Sequence, residues 1–241
     1  MTRAFILIAI SISTVVLIAL LNPIPQDLDY HRFVDTRSLA EIPNFLNVFS
    51  NLPYLLIGAL GFQLFSTKYS IQPGLSWGVF FLGVFLVGIG SSYYHLNPNN
   101  ATLVWDRLPM TIGFMGLFVA LLSEWISVKL KILLLPMCLL GIYSVYYWHN
   151  TDDLRLYAWV QFFPLLFILL VGILFRPNIP HVKYIYIGLG FYILSKLFEH
   201  FDIYVHTLTN FIISGHTLKH FAAAYATYCI YLMLLQRATH S

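Results

Sequence analysis

Charge is what this sequence lacks. Only 10% of its 241 residues are Asp, Glu, Lys or Arg, against about 25% in soluble domains. So few charges cannot coat a soluble surface, which excludes an ordinary soluble enzyme. No cluster of lysine and arginine forms a basic face, which excludes a nucleic-acid partner. Cysteine is scarce too. Cys138 and Cys229 each sit inside an apolar stretch, the setting of buried free thiols rather than of a disulfide framework. There is no hydrophilic stretch long enough for a soluble domain and no low-complexity tract. No internal repeat is visible either, which disfavours the repeat-built secondary transporters.

Apolar residues fill the space that charge leaves. They make up 59% of the chain, with 16 Tyr and 20 Phe, a composition suited to lipid-facing surfaces and interfacial belts. They fall into eight runs, near 4–21, 44–66, 75–95, 107–126, 131–148, 156–175, 183–201 and 210–235. Each approaches the ~20 residues needed to cross a bilayer. The expected fold is all-α and polytopic. A seven-transmembrane-helix core over 29–241 follows an extra N-terminal helix and linker over 1–28. The first run could be a signal peptide. Asn22-Pro23-Ile24-Pro25 offers no small-x-small cleavage site after it, so a retained anchor helix is predicted.

Lysine and arginine placement orients the chain. With Arg3 in the cytoplasm, Lys68, Lys129, Lys131, Arg176, Lys183 and Arg237 fall on the cytoplasmic side. Arg32, Arg37, Arg107, Arg155, Lys196 and Lys219 oppose this arrangement, so the bias is modest. It predicts that His95, Asp106, His216 and His220 share the extracytoplasmic half of the membrane, although they are far apart in sequence.

Those residues carry the candidate chemistry. Ser91 and His95 are four apart, as are His216 and His220, so each pair lies on one helix face. Two histidines one turn apart can present nitrogens to one metal ion. Ionisable groups inside membrane helices are costly and usually face a partner or a cavity. Each residue also has a plainer reading. His95 ends a helix and could be interfacial, and the spacing of His216 and His220 arises easily by chance. Asp106 could be a helix-start residue favoured by the dipole, and Ser91 beside Gly90 a packing contact. Asn44, Asn47, Ser50 and Asn51 form a polar face that either bonds a neighbouring helix or lines a head-group route. Lys196 and Glu199 read as an intrahelical ion pair, with substrate contact by Glu199 the alternative. His31, His149, His181, His206 and His240 read as loop or interfacial residues. Asn100-Ala101-Thr102 matches a glycosylation sequon but lies too close to the membrane to use.

Taken together, Gly90-Ser91-Ser92-Tyr93-Tyr94-His95, Asp106-Arg107-Leu108-Pro109-Met110 and His216-Thr217-Leu218-Lys219-His220 resemble the motifs of the alkaline ceramidases. That family sits in a superfamily of seven-helix membrane hydrolases that includes the adiponectin receptors. The stretch from Ile42 to Pro53 resembles the family's first core helix, and the resemblance spans about 29–235. It implies that His95, His216 and His220 hold Zn2+, that Asp106 handles the proton of the attacking water, and that Ser91 stabilises the oxyanion. The implied activity is zinc-dependent hydrolysis of the amide bond of a ceramide-like N-acyl lipid. Asn47, Asn51 and Glu199 are the weaker substrate-contact candidates.

Two features depart from the family. Arg107 stands where its eukaryotic members usually have Glu. Asp27, Asp29, Asp35 and Glu41 do not match the spacing of its calcium-binding cluster, which leaves Ca2+ open. Competing readings are a zinc-containing receptor or signalling scaffold of the same superfamily, and a metal or proton transporter.

Overall fold

The computed structural model describes residues 2–68, 74–175 and 179–240. The described residues are helical, with one isolated bridge between Leu39 and Ile42 and no strand. The helices are α1 (Thr2–Leu20), α2 (Phe45–Phe49), α3 (Leu52–Lys68), α4 (Gly74–Leu96), α5 (Asn100–Trp125), α6 (Leu134–Thr151), α7 (Arg155–Phe175), α8 (Lys183–His200), α9 (Asp202–Leu208) and α10 (Gly215–His240). Among the described residues, six helices are long and apolar enough to cross a membrane. These are the kinked span Phe45–Thr67, α4, α5, the span Val128–Thr151, α7 and Gly215–Thr239 of α10. The architecture is that of a multi-pass membrane protein. α8 has the length but carries Lys183, Lys196 and Glu199.

Several boundaries differ from those expected. The fourth run starts at Asn100 rather than near 107. Asn99 caps it, accepting from the backbone N–H of Ala101 and Thr102, while Thr102 Oγ1 accepts from the Asn99 N–H. That reciprocal cap satisfies otherwise orphaned donors. Asp106 therefore sits nearly two turns inside α5, and a helix-start role for it is excluded. The second run breaks at Ser50 and Asn51 into α2 and α3. The predicted run 210–235 does not begin until Gly215, and the loop expected at 202–209 is mostly helix α9. Arg176, used in the orientation argument, lies outside the described residues.

α4 and α5 pack backbone to backbone, in the manner of small-residue contacts in membranes. A methyl group on Gly90 would collide with the Trp105 carbonyl oxygen. That oxygen is exposed to α4 because Pro109, four residues on, has no N–H to give it. A single glycine and a single proline thus lock together the helices that carry Ser91, His95 and Asp106. α1 lies against α7, where Trp159 Nε1 donates to Thr14 Oγ1 at 3.1 Å. Cys138 and Cys229 are free thiols.

The segment 21–44 folds back over one end of the bundle, and the α6–α7 connection holds it there. Leu154 N donates to Ile24 O at 2.8 Å and Gln26 N to Asp152 Oδ1 at 3.0 Å. Asp153 accepts from Arg155 Nη2 at 2.7 Å, and this guanidinium holds its carboxyl down at about 2. Asp35 is likewise gripped by Arg37, whose Nη2 also reaches Ile212 O at 2.7 Å.

Candidate metal centre

His95 occupies the last turn of α4, and His216 and His220 the first two turns of α10. The start of α10 is fixed by two acceptors. Ser214 Oγ takes the Thr217 N–H at 3.0 Å, and Asp202 Oδ1 takes the His216 N–H at 2.8 Å. With both helix ends at the same end of the bundle, the three imidazoles converge. Their ring centroids are 5.0, 4.9 and 5.0 Å apart, and one nitrogen from each lies within 4.8 Å of the others. The three residues are 1%, 5% and 3% exposed.

Their surroundings favour a metal. His220 Nδ1 lies 2.7 Å from Ser50 Oγ, which itself donates to Asn47 O at 3.1 Å. A Ser50 hydroxyl that gives its hydrogen to Asn47 leaves its oxygen to accept from a His220 Nδ1–H, the tautomer that turns the Nε2 lone pair inward. That is the hydrogen bond that orients a metal-ligating histidine. His95 Nε2 is 3.3 Å from His220 Nε2, and His95 Nδ1 is buried without a partner. Phe33, from the 21–44 segment, covers the cluster, with its ring centred 4.7 Å from His95 and 4.8 Å from His216. Three buried, converging imidazoles could hold one metal ion, and the donor set fits zinc with a position left for water.

Beside the cluster is a chamber of about 240 Å3 lined by His220, Ser91, Asp106, Asn51, Glu199 and Lys219, among others. Ser91 and Asp106 line the same chamber, from α4 and α5. Ser91, Asp106 and the histidines predicted from sequence are thus brought to one place. Glu199 and Asn51 also face the chamber. Asn47 does not. It is fully buried between α2 and α10, where its Oδ1 accepts from Thr217 Oγ1 at 2.8 Å. This helix-to-helix hydrogen bond is one of the two readings of the polar face.

Glu199 is more than one half of an ion pair. It binds Lys196 at 2.9 Å, as expected, but also Lys219 at 2.7 Å and the Tyr30 hydroxyl at 3.2 Å. Lys219 Nζ in turn lies 3.4 Å from His216 Nε2. Sequence reasoning missed Ser50, Phe33, Asp202 and Lys219 as supports of the cluster. Lys219, a charge inside the His-x-x-x-His turn, and Ser50, on the polar face of the second run, carried local signals. Of the acidic residues weighed for calcium, Asp29 and Asp35 are each paired with an arginine. His31, read as a loop residue, bonds Tyr94 Oη at 2.9 Å and Asn100 Oδ1 at 2.8 Å.

A second cavity of about 130 Å3 adjoins the chamber. The two share Tyr54, Val87, Met110, Tyr192 and Ala223 in their walls, and the second is almost wholly apolar. No protein-family model matches the chain, and no curated protein matches it.

Proposed function

We propose that this protein is a zinc-dependent membrane hydrolase that cleaves the amide bond of a ceramide-like N-acyl lipid into a fatty acid and an amine. The observation that carries this reading is the junction of two unlike spaces. A chamber lined by His220, two carboxylates and the Ser91 hydroxyl, beside the other two histidines, adjoins an almost wholly apolar cavity inside the bundle. An amide with a long acyl chain has that division of polarity.

His95, His216 and His220 would hold the metal. Bound there, Zn2+ supplies Lewis acidity toward a water and a carbonyl oxygen. The rest falls to the protein. Asp106 Oδ takes a proton from the attacking water, whose oxygen joins the carbonyl carbon. As the C–N bond breaks, Asp106 returns the proton to the amine nitrogen. The Ser91 hydroxyl, next to Asp106, turns its hydrogen toward the carbonyl oxygen as negative charge builds there. The apolar cavity takes the acyl chain and keeps bulk water out.

This reading goes with a membership of the alkaline ceramidase superfamily and with a seven-helix core. The core would be α2 with α3, then α4 to α8 and α10, with α1 as an addition. The lysine and arginine pattern supports an extracytoplasmic site. The test is mass spectrometry of purified protein incubated with a panel of N-acyl lipids. Zinc-dependent release of fatty acid and amine is expected. Full zinc binding without turnover would favour the receptor reading instead, and zinc flux in liposomes the transporter.

A further inference from the structure

Arg107 is the one cation lining the chamber that is in no ion pair among the described residues. It lies inside α5 and is 6% exposed. An arginine at such depth marks a site by default, because its burial is costly. Among the described residues the ion pairs engage Arg32, Arg37, Arg155, Lys196, Lys219 and Arg237. Arg107 is in none of them. Its Nη2 donates to Gln26 Oε1 at 2.6 Å, while Nη1 is buried with no partner. The guanidinium carbon lies 4.1 Å from the Trp148 ring centre and 4.7 Å from that of Tyr157.

These contacts hold the fork in place without neutralising it. Cation–π contacts fall well short of the cost of an unpaired buried charge. Neither neighbouring carboxylate is ion-paired with it. Glu199 is shared by two lysines, and Asp106, next to Arg107 in the chain, forms no ion pair among the described residues. Three cations, Arg107, Lys196 and Lys219, line the chamber against two carboxylates, Asp106 and Glu199. A rigid guanidinium with a free N–H edge is the side chain best matched to an oxyanion.

We infer that Arg107 forms an oxyanion subsite in the chamber, so that the lipid acted on carries a carboxylate or phosphate on its amine part. The inference rests on the hydrolase reading and narrows its substrate. Asp106 and Arg107 both line one chamber of about 240 Å3, so the amide and the anion are held in the same small space. A merely structural role, tethering the 21–44 segment through Gln26, would not distinguish anionic from neutral lipids.

The test measures binding to the full-length protein in detergent, with hydrolysis followed separately. The probes are N-oleoylglycine, N-oleoylethanolamine phosphate, neutral N-oleoylethanolamine and oleate. Both anionic amides should bind about tenfold or more tighter than the neutral one, the worth of a charged hydrogen bond. Arg107→Gln should erase that preference, weakening the two anionic amides about tenfold or more relative to the neutral one. If Arg107→Gln does not fold, the wild-type comparison decides. Equal binding of anionic and neutral amides by the wild type overturns the subsite. So does an Arg107→Gln loss for oleate as large as that for N-oleoylglycine, which would assign Arg107 to the fatty-acid product. Anion preference without turnover removes the hydrolase reading and leaves the subsite standing. Turnover without anion preference does the reverse.

Discussion

Replacing Ser50 with alanine removes one oxygen and tests whether the histidine cluster is built for a metal. Ser50 is 1% exposed, and its Oγ lies 2.7 Å from His220 Nδ1. Little space is vacated, so the loss is mainly that of the hydrogen bond. The Nδ1–H is left buried without an acceptor, which costs about 1–3 kcal/mol. The imidazole is also freed to rotate or to move its proton to Nε2, which withdraws the lone pair from the cluster. Loss of such an orienting partner typically costs 10–100-fold in metal affinity. Zinc competition against a chromophoric chelator measures this directly on folded, detergent-solubilised protein. Ser50→Ala should raise the zinc Kd by about that factor, while Ser50→Thr, which keeps the hydroxyl, should restore most of it. An unchanged zinc Kd in Ser50→Ala would show that His220 is oriented by packing alone and would refute the reasoning.

Three further outcomes are expected. Glu199→Gln should lower zinc content, because Lys219 loses its 2.7 Å carboxylate partner while still lying 3.4 Å from His216 Nε2. Adding Lys219→Met should recover zinc, and failure of that rescue would uncouple the lysine from the site. Asp153 has a folded pKa of about 2 through its Arg155 partner, below the unfolded value of about 3.9. Its contribution to stability is therefore complete above about pH 4 and lost as pH falls through about 2. Hydrogen exchange across 21–44 should quicken over that window in the wild type and already be fast at neutral pH in Asp153→Asn. Equal protection in the two proteins would count against the tether. After Cys138 and Cys229 are changed to serine, a cysteine at Asn99 should react with an impermeant thiol reagent outside intact cells, and one at Lys129 should not. The opposite pattern would reverse the orientation.

The helices were legible because long apolar runs have few alternatives in a chain this poor in charge. The four-residue spacings of Ser91 with His95 and of His216 with His220 placed each pair on one face without tertiary information. Helix ends were less legible. Asn99 and Thr102 carried the capping signal for α5, but it lay upstream of where the hydrophobic run starts, so Asp106 read as a helix start. The break at Ser50 and Asn51 was hidden because polar residues inside an apolar run also suit interhelical bonding. How the supports of the cluster pair could not be read at all. Ser50 with His220, Phe33 with His95, and Lys219 with Glu199 meet only after the chain folds, and no local pattern joins them. Arg107 was visible as a departure from the ceramidase motif, but its unpaired Nη1 is a fact of packing.

The central claim is that a metal held by His95, His216 and His220 and a proton handled by Asp106 together cleave an amide. Asp106→Asn separates the two, since asparagine keeps the shape beside Ser91 but cannot act as a base. The decisive measurement is the hydrolysis rate of Asp106→Asn on protein that elemental analysis shows to carry as much zinc as the wild type. The account predicts a fall of about 10² or more, the usual contribution of a general base. An undiminished rate at full zinc occupancy would contradict it.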